Sequence, residues 1–229
     1  MTNKKTSSIK KEIFLPSKIG DWTTYTSEKN KDSISITKSI GASNKAISEP
    51  TLHHLLFFHQ ELFQDFFEEV ANEINSHIDI DSVSIDLLNH KLLKESLSED
   101  IYQCKYSISE LEQIDLLLSN RAAKCISHRL CGGNTLIEEF TPLTSIEVTL
   151  VSVINNIFIK LLSEKWKTIF QYVENSNETT FGNYEFKPQQ AEDETIIEVS
   201  TIFKLLGHNN LSLKIIYSLE TIEKLLFFE

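Results

Sequence analysis

Three histidines at the start of an apolar segment have side chains that could bind a metal ion. The separations among His53, His54 and His59 are one, five and six positions. Two ligands on the same face of a helix need a spacing of three or four residues, and no cysteine or carboxylate set adjoins these side chains. We therefore interpret them as surface or rim histidines. The sequence predicts no metal site and no cofactor.

Cysteine could supply a nucleophile, and the chain has Cys104, Cys125 and Cys131. Cys125 and Cys131 are six positions apart with His128 between them. A reactive thiol needs a base held in hydrogen-bonding geometry, which proximity along a helix does not provide. The set is odd in number and contains no C-x-x-C pair, as is typical of reduced structural thiols in a cytosolic protein. We predict no catalytic residue.

The charge of the chain argues against two kinds of binding surface. Its 229 residues carry a formal net charge of −11, whereas a nucleic-acid groove and contact with an anionic membrane both need clustered lysine and arginine. The apolar run Ile13–Leu15 after the N-terminal lysines is too short for a secretory signal. We also find no apolar segment near the roughly 20 residues that span a bilayer. The sequence predicts a soluble protein without membrane insertion.

The composition and the hydrophobic pattern of the chain change at Pro50. Residues 1–49 are rich in Lys, Ser, Thr and Asn and have no sustained hydrophobic period, so we interpret them as a flexible N-terminal arm with one short strand near Ser33–Thr37. Apolar residues then recur at three- and four-residue steps over residues 51–77, which predicts an amphipathic helix. Hydrophobic residues make up 41% of the chain, enough for residues 50–229 to form one α/β domain.

Strand and helix patterns alternate through the first half of this domain. The predicted elements are a strand at Val83–Leu87, a short helix at Leu92–Leu97, a strand at Ile101–Ser107, an apolar run at Gln113–Leu118 and a helix at Arg121–Leu130. Gly132 and Gly133 end the last helix, because glycine readily adopts the left-handed conformation that closes helices.

The second half begins with a T-x-x-E capping box at Thr144 and Glu147, and the helix that it opens is predicted to extend to about residue 168. Its predicted inward-facing residues are Ile146, Leu150, Val153, Ile154, Ile157, Leu161 and Leu162. The remaining predicted elements are a strand at Phe170–Val173, strands at Ile196–Leu205 and Leu211–Tyr217 joined by a turn at residues 207–210, and a closing helix at Leu219–Phe227.

Several of these segments, in their order and spacing, resemble the middle domain of the flagellar motor switch family FliM. They are Leu55–Phe67, Leu92–Leu97, Arg129–Gly133, Glu139–Pro142, the capped helix from Leu143, the later Trp166, and Glu198–Phe203 before the closing strand and Leu-rich helix. Together they extend over nearly all of residues 50–229. The resemblance implies a three-layer α/β/α pseudo-two-fold fold, similar to that of CheC-type phosphatases.

The FliM resemblance also implies a function. It implies a non-enzymatic component of the flagellar motor switch, located in the cytoplasmic C-ring at the inner-membrane basal body and packed beside neighbouring copies. The family contacts the rotor protein FliG through a glycine-rich turn that corresponds to Gly132, Gly133 and Asn134. Two glycines after a helix let a partner's backbone approach closely and leave amides free to donate. Thr135 stands where the family has another glycine.

Two other FliM features have no counterpart in the sequence. Residues 1–20 show nothing like the acidic-hydrophobic peptide that captures phosphorylated CheY, and the chain ends where a β-rich module that pairs with FliN is expected. We therefore do not expect pairing with FliN or CheY. Glu112–Leu117 superficially resembles the CheY-capturing peptide, but its position inside the domain favours a buried strand and its turn.

Two alternative functions follow from related families. One is a cytoplasmic-ring (sorting-platform) protein of a type III secretion system, which shares ancestry with the flagellar ring. The other is a CheC-type phosphatase, which positions water with a Glu and an Asn in an E-x-x-N spacing. On the capped helix, Asn155 follows Ser152 and Asn156 follows Val153, so the acid is missing. We interpret both asparagines as polar residues on a helix flank, which disfavours the enzyme.

Overall fold

A single mixed sheet organises the part of the chain that the structure describes. The computed structural model describes residues 34–38, 47–97, 100–107, 113–165, 177–184 and 194–222. In chain order the elements are β1 Ile34–Lys38, α1 Glu49–Glu73, β2 Ile78–Asn89, α2 His90–Ser96, β3 Ile101–Ser107, β4 Gln113–Ser119, α3 Asn120–Leu130, α4 Ser145–Val151, α5 Val153–Lys165, β5 Asn177–Gly182, β6 Thr195–Leu205 and β7 His208–Ser218. The sheet order is β1-β2-β6-β7-β4-β3-β5.

The sheet has an internal two-fold pattern. Strand β1 is parallel to β2, and every other neighbouring pair is antiparallel. Without β1, the order β2-β6-β7 on one side corresponds to β5-β3-β4 on the other, and the antiparallel pair β4 and β7 lies at the centre. A long helical segment precedes the outer strand of each half: α1 before β2, and α4 with α5 before β5. The two halves therefore repeat one unit, as the resemblance implied.

Successive side chains along each strand point to opposite faces of the sheet. On β7, every second residue from Leu211 to Tyr217 belongs to the large core cluster that the sheet forms with α1, α3 and α5. Ile216 points to the opposite face, where a smaller apolar cluster contains Leu93 of α2 and Tyr184. Helices therefore lie on both faces, and the predicted α/β/α architecture is confirmed.

Helix α1 supplies much of the large core cluster and confirms the helix predicted over residues 51–77. It begins at an N-cap, because the Ser48 hydroxyl accepts a hydrogen bond from the Thr51 amide at 3.3 Å. It ends before Asn75, which has a left-handed φ of 46°. Its buried Phe66 meets Phe158 of α5 edge-on, with ring centroids 6.0 Å apart, and such a pair contributes roughly 0.5–1.5 kcal/mol beyond the area it buries.

The capping box at Thr144 is confirmed, but the helix that follows differs from the prediction. Both reciprocal hydrogen bonds with Glu147 are present. The helix is interrupted at Ser152, whose hydroxyl donates back to the Thr149 carbonyl at 2.6 Å, so α4 packs on α3 and α5 packs on α1. Ile146, predicted to face inward, is 74% exposed. A single helical period could not reveal two helices with two different neighbours.

Burial along α4 and α5 follows the interrupted geometry. The buried apolar residues are Val151, Ile154, Phe158, Leu161 and Leu162. The predicted inward residues Leu150, Val153 and Ile157 are only half-buried. By length and composition alone, the stretch Ser145–Lys165 could cross a membrane, a feature that the sequence analysis missed. Its buried side chains belong to the large core cluster that the sheet forms with α1, α3 and α5.

Other predicted elements have mixed outcomes. Strand β1 coincides with the strand predicted in the N-terminal arm, and it pairs with β2, while the boundary at residue 50 stays a prediction. The turn between β6 and β7 is shorter than predicted, since β7 already begins at His208. The predicted strand at residues 170–173 lies outside the described residues, as does the closing helix beyond residue 222. Strand β5 was not predicted.

Candidate protein-interaction site

The C-terminus of α3 positions the glycine turn. Cys131 caps the helix, and Gly132 follows with a left-handed φ of 81°. The Gly132 amide donates to the Arg129 carbonyl at 2.8 Å, and the Gly133 amide donates to the His128 carbonyl at 2.9 Å. These bonds satisfy the last carbonyls of the helix. The expectation of free glycine amides was therefore wrong, because the turn uses both amides to close α3.

The two glycines are required for different reasons. At Gly132 a Cβ atom would meet nothing within 4 Å, so the constraint is the positive φ. At Gly133 a Cβ atom would lie 2.2 Å from Cε1 of His128, so the constraint is the imidazole ring packed directly on the backbone. Asn134 and Thr135 follow as exposed residues. The geometry of the turn is thus fixed by α3 itself, and its polar side chains face solvent.

Arg129 ties the turn to a distant part of the chain. Its guanidinium group donates to the Gly133 carbonyl at 2.9 Å and also to the carbonyl of Asn75, in the connection between α1 and β2. A planar guanidinium presents several donors in a rigid fork, so one side chain can hold two backbone segments together. The turn is therefore anchored from outside as well as by its own helix.

The segment after the turn is anchored on the β6–β7 hairpin. The Ile137 amide donates to Nε2 of His208 at 3.2 Å, and the Phe140 ring meets the His208 ring edge-on at 5.0 Å. Arg121 of α3 lies over the Phe140 ring at 4.8 Å. Burial, and then the nearby charge of Arg121, lowers the pKa of His208, which favours the neutral ring that accepts from Ile137. The loop thus has a defined path across the domain.

An exposed apolar residue adjoins the turn. Leu136 is 58% exposed, and its Cδ1 atom lies 3.6 Å from where a Cβ would stand on Gly207. Within the described ranges, the other large hydrophobic residue with comparable exposure is Ile146 on α4. Residues 132–136, which we call the 132–136 turn, therefore combine two exposed polar side chains, an exposed leucine and a backbone that is hydrogen-bonded at both glycines. Such a surface suits contact with another protein.

The histidines considered for metal binding do not form a site. His53 is exposed, but His59 is completely buried, so its interpretation as a surface or rim residue was wrong. Its Nδ1 lies 2.7 Å from the Leu55 carbonyl, and its Nε2 lies 2.7 Å from the Tyr217 hydroxyl. Burial lowers the pKa of His59 to about 4. Among the described residues, no group of three potential ligands is close enough to hold a metal.

Two of the three cysteines and Asn155 are buried, whereas Cys131 is exposed. Cys104 and Cys125 are buried, and burial raises the pKa of Cys125 to about 12. Asn155 is buried too, so its placement on a helix flank was wrong: its amide donates to the Tyr102 hydroxyl at 2.9 Å and to the Thr179 hydroxyl at 3.4 Å. A carboxamide held inside the core this way is not available to a second protein.

A glutamate–asparagine pair on α1 escaped the sequence analysis. Glu69 and Asn72 have the E-x-x-N spacing that was sought only on the capped helix. Asn72 is exposed, whereas one carboxylate oxygen of Glu69 lies 3.0 Å from the ammonium group of Lys160 on α5. The pair was detectable by scanning every helix for this spacing. Its glutamate serves to connect α1 with α5.

Comparisons with known proteins identify the fold. No protein-family model and no curated protein sequence matches the chain. The FliM middle domain from H. pylori superposes with a TM-score of 0.63 at 19% identity, covering 78% of this chain and 98% of that one. This chain has the FliM middle-domain fold. FliM in the FliG–FliM complex from H. pylori gives 0.63 at 18% identity, covering 77% and 98%, and Thermotoga maritima FliY gives 0.63 at 14%, covering 79% and 96%.

The fold predicted from the FliM-like segments is therefore confirmed. At identities below 20%, the likeness to these structures shows the architecture of this chain alone. The roles of its individual residues are argued from their geometry. The 132–136 turn lies within the part of the chain that adopts this fold. Its two glycine amides are hydrogen-bonded and the side chains after them are exposed, but its role as a partner site stays a prediction.

Proposed function

We propose that this chain is a non-enzymatic component of a bacterial flagellar motor switch and that it binds a FliG-like rotor protein through the 132–136 turn. The observation that carries the proposal is a FliM middle-domain fold whose glycine turn is hydrogen-bonded to the end of α3 and exposed there. FliM of the same fold has been solved in complex with FliG from H. pylori. The finer role of this chain is inferred from that likeness together with the turn.

The geometry of the turn supports binding in a specific way. Hydrogen bonds from both glycine amides and from Arg129 hold the backbone before any partner arrives. Binding then does not have to order this loop. The entropy cost of ordering a loop otherwise lowers the affinity. Gly132, Asn134 and Leu136 would give, respectively, close backbone approach, hydrogen bonding and apolar contact. Gly132, Gly133 and Asn134 are therefore proposed as the partner-binding residues, with Leu136 added by the structure.

The proposal has consequences for assembly and location. A switch component would contact neighbouring copies in a cytoplasmic ring and would lie peripherally at the inner-membrane basal body. The net charge of −11 suits a crowded cytoplasmic assembly, because like-charged surfaces resist nonspecific association. Contacts between copies would then need apolar or oppositely charged patches.

The test is a binding measurement against the FliG-like rotor protein of the same organism. Asn134→Lys should weaken binding at least tenfold, because it places a long charged side chain at the centre of the proposed contact. Asn156→Lys is the matched control, since Asn156 is an exposed asparagine on α5. Both variants should melt at the parent temperature. Equal affinities for the two variants, or no binding by the parent protein, would remove the assignment.

A type III secretion ring protein remains the first alternative. The same binding experiment distinguishes the two systems when the corresponding ring component of a secretion apparatus is offered as a second partner. Tighter binding to that component than to the flagellar rotor protein would reassign the chain. The fold would be unaffected by that outcome.

The Glu69–Asn72 pair is the observation that favours a CheC-type phosphatase as the second alternative. Against it, Glu69 is engaged with Lys160 at 3.0 Å. A dephosphorylation assay on phosphorylated CheY decides the question. We expect no turnover above the spontaneous rate; turnover that disappears in Asn72→Ala would replace the proposal with an enzyme.

A further inference from the structure

The first five residues of β2 form an open sheet edge. Strand β1 pairs with Val83–Leu87 of β2, beginning with Ile34 opposite Val83. On the side of β2 away from β6, no other described residue pairs with Ile78–Ser82. A row of unpaired backbone donors and acceptors at an edge is a template for an added strand. The edge spans about 16 Å at the usual strand rise, which is enough for five residue pairs.

A groove runs beside this edge, between β2 and α1. Its volume is about 690 Å³, and its strand wall includes every residue of Ile78–Ser82. On the helix wall, lining residues recur at three- and four-residue steps, so they lie along one face of α1. The apolar lining residues are Phe57, Phe67, Ala71, Ile78, Ile80 and Val83. A strand added to the edge would therefore find apolar surface for the side chains that it turns toward α1.

The helix wall of the groove is acidic. Glu61 and Glu68 both line it and both are exposed. They are seven positions apart, or about 10 Å along the helix axis. Among the described residues, no cation lies within ion-pair distance of either carboxylate. The groove lining contains no lysine or arginine, so the negative charge of this wall is not balanced within the groove.

Two aspartates add negative charge on the other face of the open edge. Ile80 packs against the large core cluster, so alternation along β2 turns Asp79 to the opposite face. Asp79 lies 2.8 Å from the exposed ring of His77. Lys204 is the register partner of Asp79 and lies on the same face, and its ion pair with Asp81 at 2.6 Å brings that carboxylate there as well. An added strand thus meets acidic residues on both faces.

These charges select the strand that the edge can accept. Edge-to-edge pairing of two copies of this chain would bring the aspartates of one copy beside those of the other, and like charges on neighbouring strands are destabilising. A basic strand is attracted instead. Its side chains alternate between the two faces, so apolar residues suit the face toward α1 and cations suit the face that carries Asp79.

We propose that Ile78–Ser82 and the groove beside α1 bind an extended segment of a partner protein in which lysine or arginine alternates with apolar residues. The backbone of this segment pairs with the open edge of β2. Its apolar side chains enter the groove and its cations lie near Asp79, while Glu61 and Glu68 attract it from the helix wall. This inference does not depend on the proposed switch function, because it uses no residue of the 132–136 turn.

Titration of the full chain with a blocked heptapeptide of alternating lysine and valine tests the proposal. We expect saturable binding at physiological ionic strength. The outward amides of Ile78–Ser82 should then exchange with deuterium roughly tenfold more slowly than in the free protein, because the peptide pairs with them. The control is the same peptide with every amide N-methylated. It has the same charge but no backbone donor, and it should bind roughly tenfold more weakly.

Charge reversal in the groove separates this contact from general attraction to an acidic protein. Glu61→Lys with Glu68→Lys should weaken binding of the heptapeptide roughly tenfold. Glu95→Lys with Glu164→Lys, at two exposed acids elsewhere, changes the net charge equally and should leave the affinity unchanged. Both double variants should melt at the parent temperature.

Three results would overturn the proposal. The first is equal binding of the unmodified and N-methylated peptides, and the second is an equal loss of affinity in the two double variants. The third is slow exchange of Ile78–Ser82 in the free protein, which would mean that the edge is already occupied. Protection that is independent of protein concentration would then assign the edge to another part of the same chain, and protection that rises with concentration would assign it to a second copy.

Discussion

At the residue scale, the glycine turn shows how two identical residues carry different constraints. Gly132 needs its backbone conformation, whereas Gly133 needs the space occupied by the His128 ring. A left-handed residue other than glycine costs roughly 1–2 kcal/mol, and overpacking costs roughly 1–3 kcal/mol. The two costs have similar size, so single substitutions cannot distinguish them.

A double substitution does distinguish them. Gly133→Ala should lower the free energy of unfolding by about 1–3 kcal/mol, and adding His128→Ala should recover most of that loss because the clash disappears. Gly132→Ala should cost about 1–2 kcal/mol, and His128→Ala should not relieve it. Urea denaturation of these four variants and of His128→Ala alone measures these differences. Equal relief at both positions would show that the turn does not have the described conformation.

His59 couples stability to pH. Burial lowers its pKa from 6.5 to about 4, so between those values the unfolded chain binds a proton that the folded chain excludes. Its contribution to stability is complete above pH 6.5 and is lost as the pH falls toward 4, at up to about 1.4 kcal/mol per pH unit. His90, whose pKa burial also lowers to about 4, adds a similar dependence.

His59→Gln should therefore flatten the pH dependence of unfolding. The slope of the free energy of unfolding against pH gives the number of protons taken up on unfolding. Between pH 6 and 4.5 we expect this number to decrease by close to one. The substitution also lowers stability at pH 7, because contacts with Leu55 and Tyr217 are lost. Urea titrations at several pH values measure the slope. His53→Gln, at an exposed histidine, is the control, and an unchanged slope in His59→Gln would show that His59 titrates normally.

At the element scale, α4 and α5 allow a comparison of two isoleucines. Ile146 is 74% exposed and Ile154 is 1% exposed, eight positions further on. Ile154→Ala should cost about 2–5 kcal/mol as a core truncation, while Ile146→Ala should stay within about 0.5 kcal/mol as a surface change. Thr144→Ala should cost about 1 kcal/mol through loss of the cap. Thermal and urea melts rank the three, and a large effect at Ile146 would contradict the break at Ser152.

The elements also show what local sequence could and could not reveal. The Thr144 capping box and the periods of α1, β3 and β7 are local signals, and the structure confirms them. The different neighbours of α4 and α5, which are α3 and α1, are long-range features, and the burial of His59 involves Tyr217, 158 residues away. Asn155 likewise finds Tyr102 across the core. Such long-range partners leave no trace in a helical period, so these residues were misjudged. The Glu69–Asn72 pair was local and simply overlooked.

At the scale of the whole molecule, the internal two-fold pattern extends to buried polar pairs. In one half, Gln103 of β3 donates to Asp115 of β4 at 3.3 Å. In the other half, Lys214 of β7 and Glu198 of β6 form an ion pair at 2.9 Å. In each hairpin the two partners are diagonal, two residues from direct register. Both halves thus have a polar pair at the same position of the repeated unit. The pair is an amide–carboxylate hydrogen bond on β3 and β4, and a Lys–Glu ion pair on β7 and β6.

The charged pair makes the half that contains β6 and β7 more sensitive than the other half to the loss of one partner. Burial raises the pKa of Glu198, and Lys214 opposes that effect, so the carboxylate depends on its partner. Lys214→Met should cost about 3–5 kcal/mol, because it leaves a buried acid without its cation. Glu198→Leu combined with Lys214→Met should recover most of this loss, since an apolar pair of similar volume removes the desolvation cost. Urea denaturation of the single and double variants measures the recovery. A double variant that is as destabilised as the sum of the Lys214→Met and Glu198→Leu losses would mean that the two side chains are not energetically coupled, and would contradict the dependence of Glu198 on Lys214.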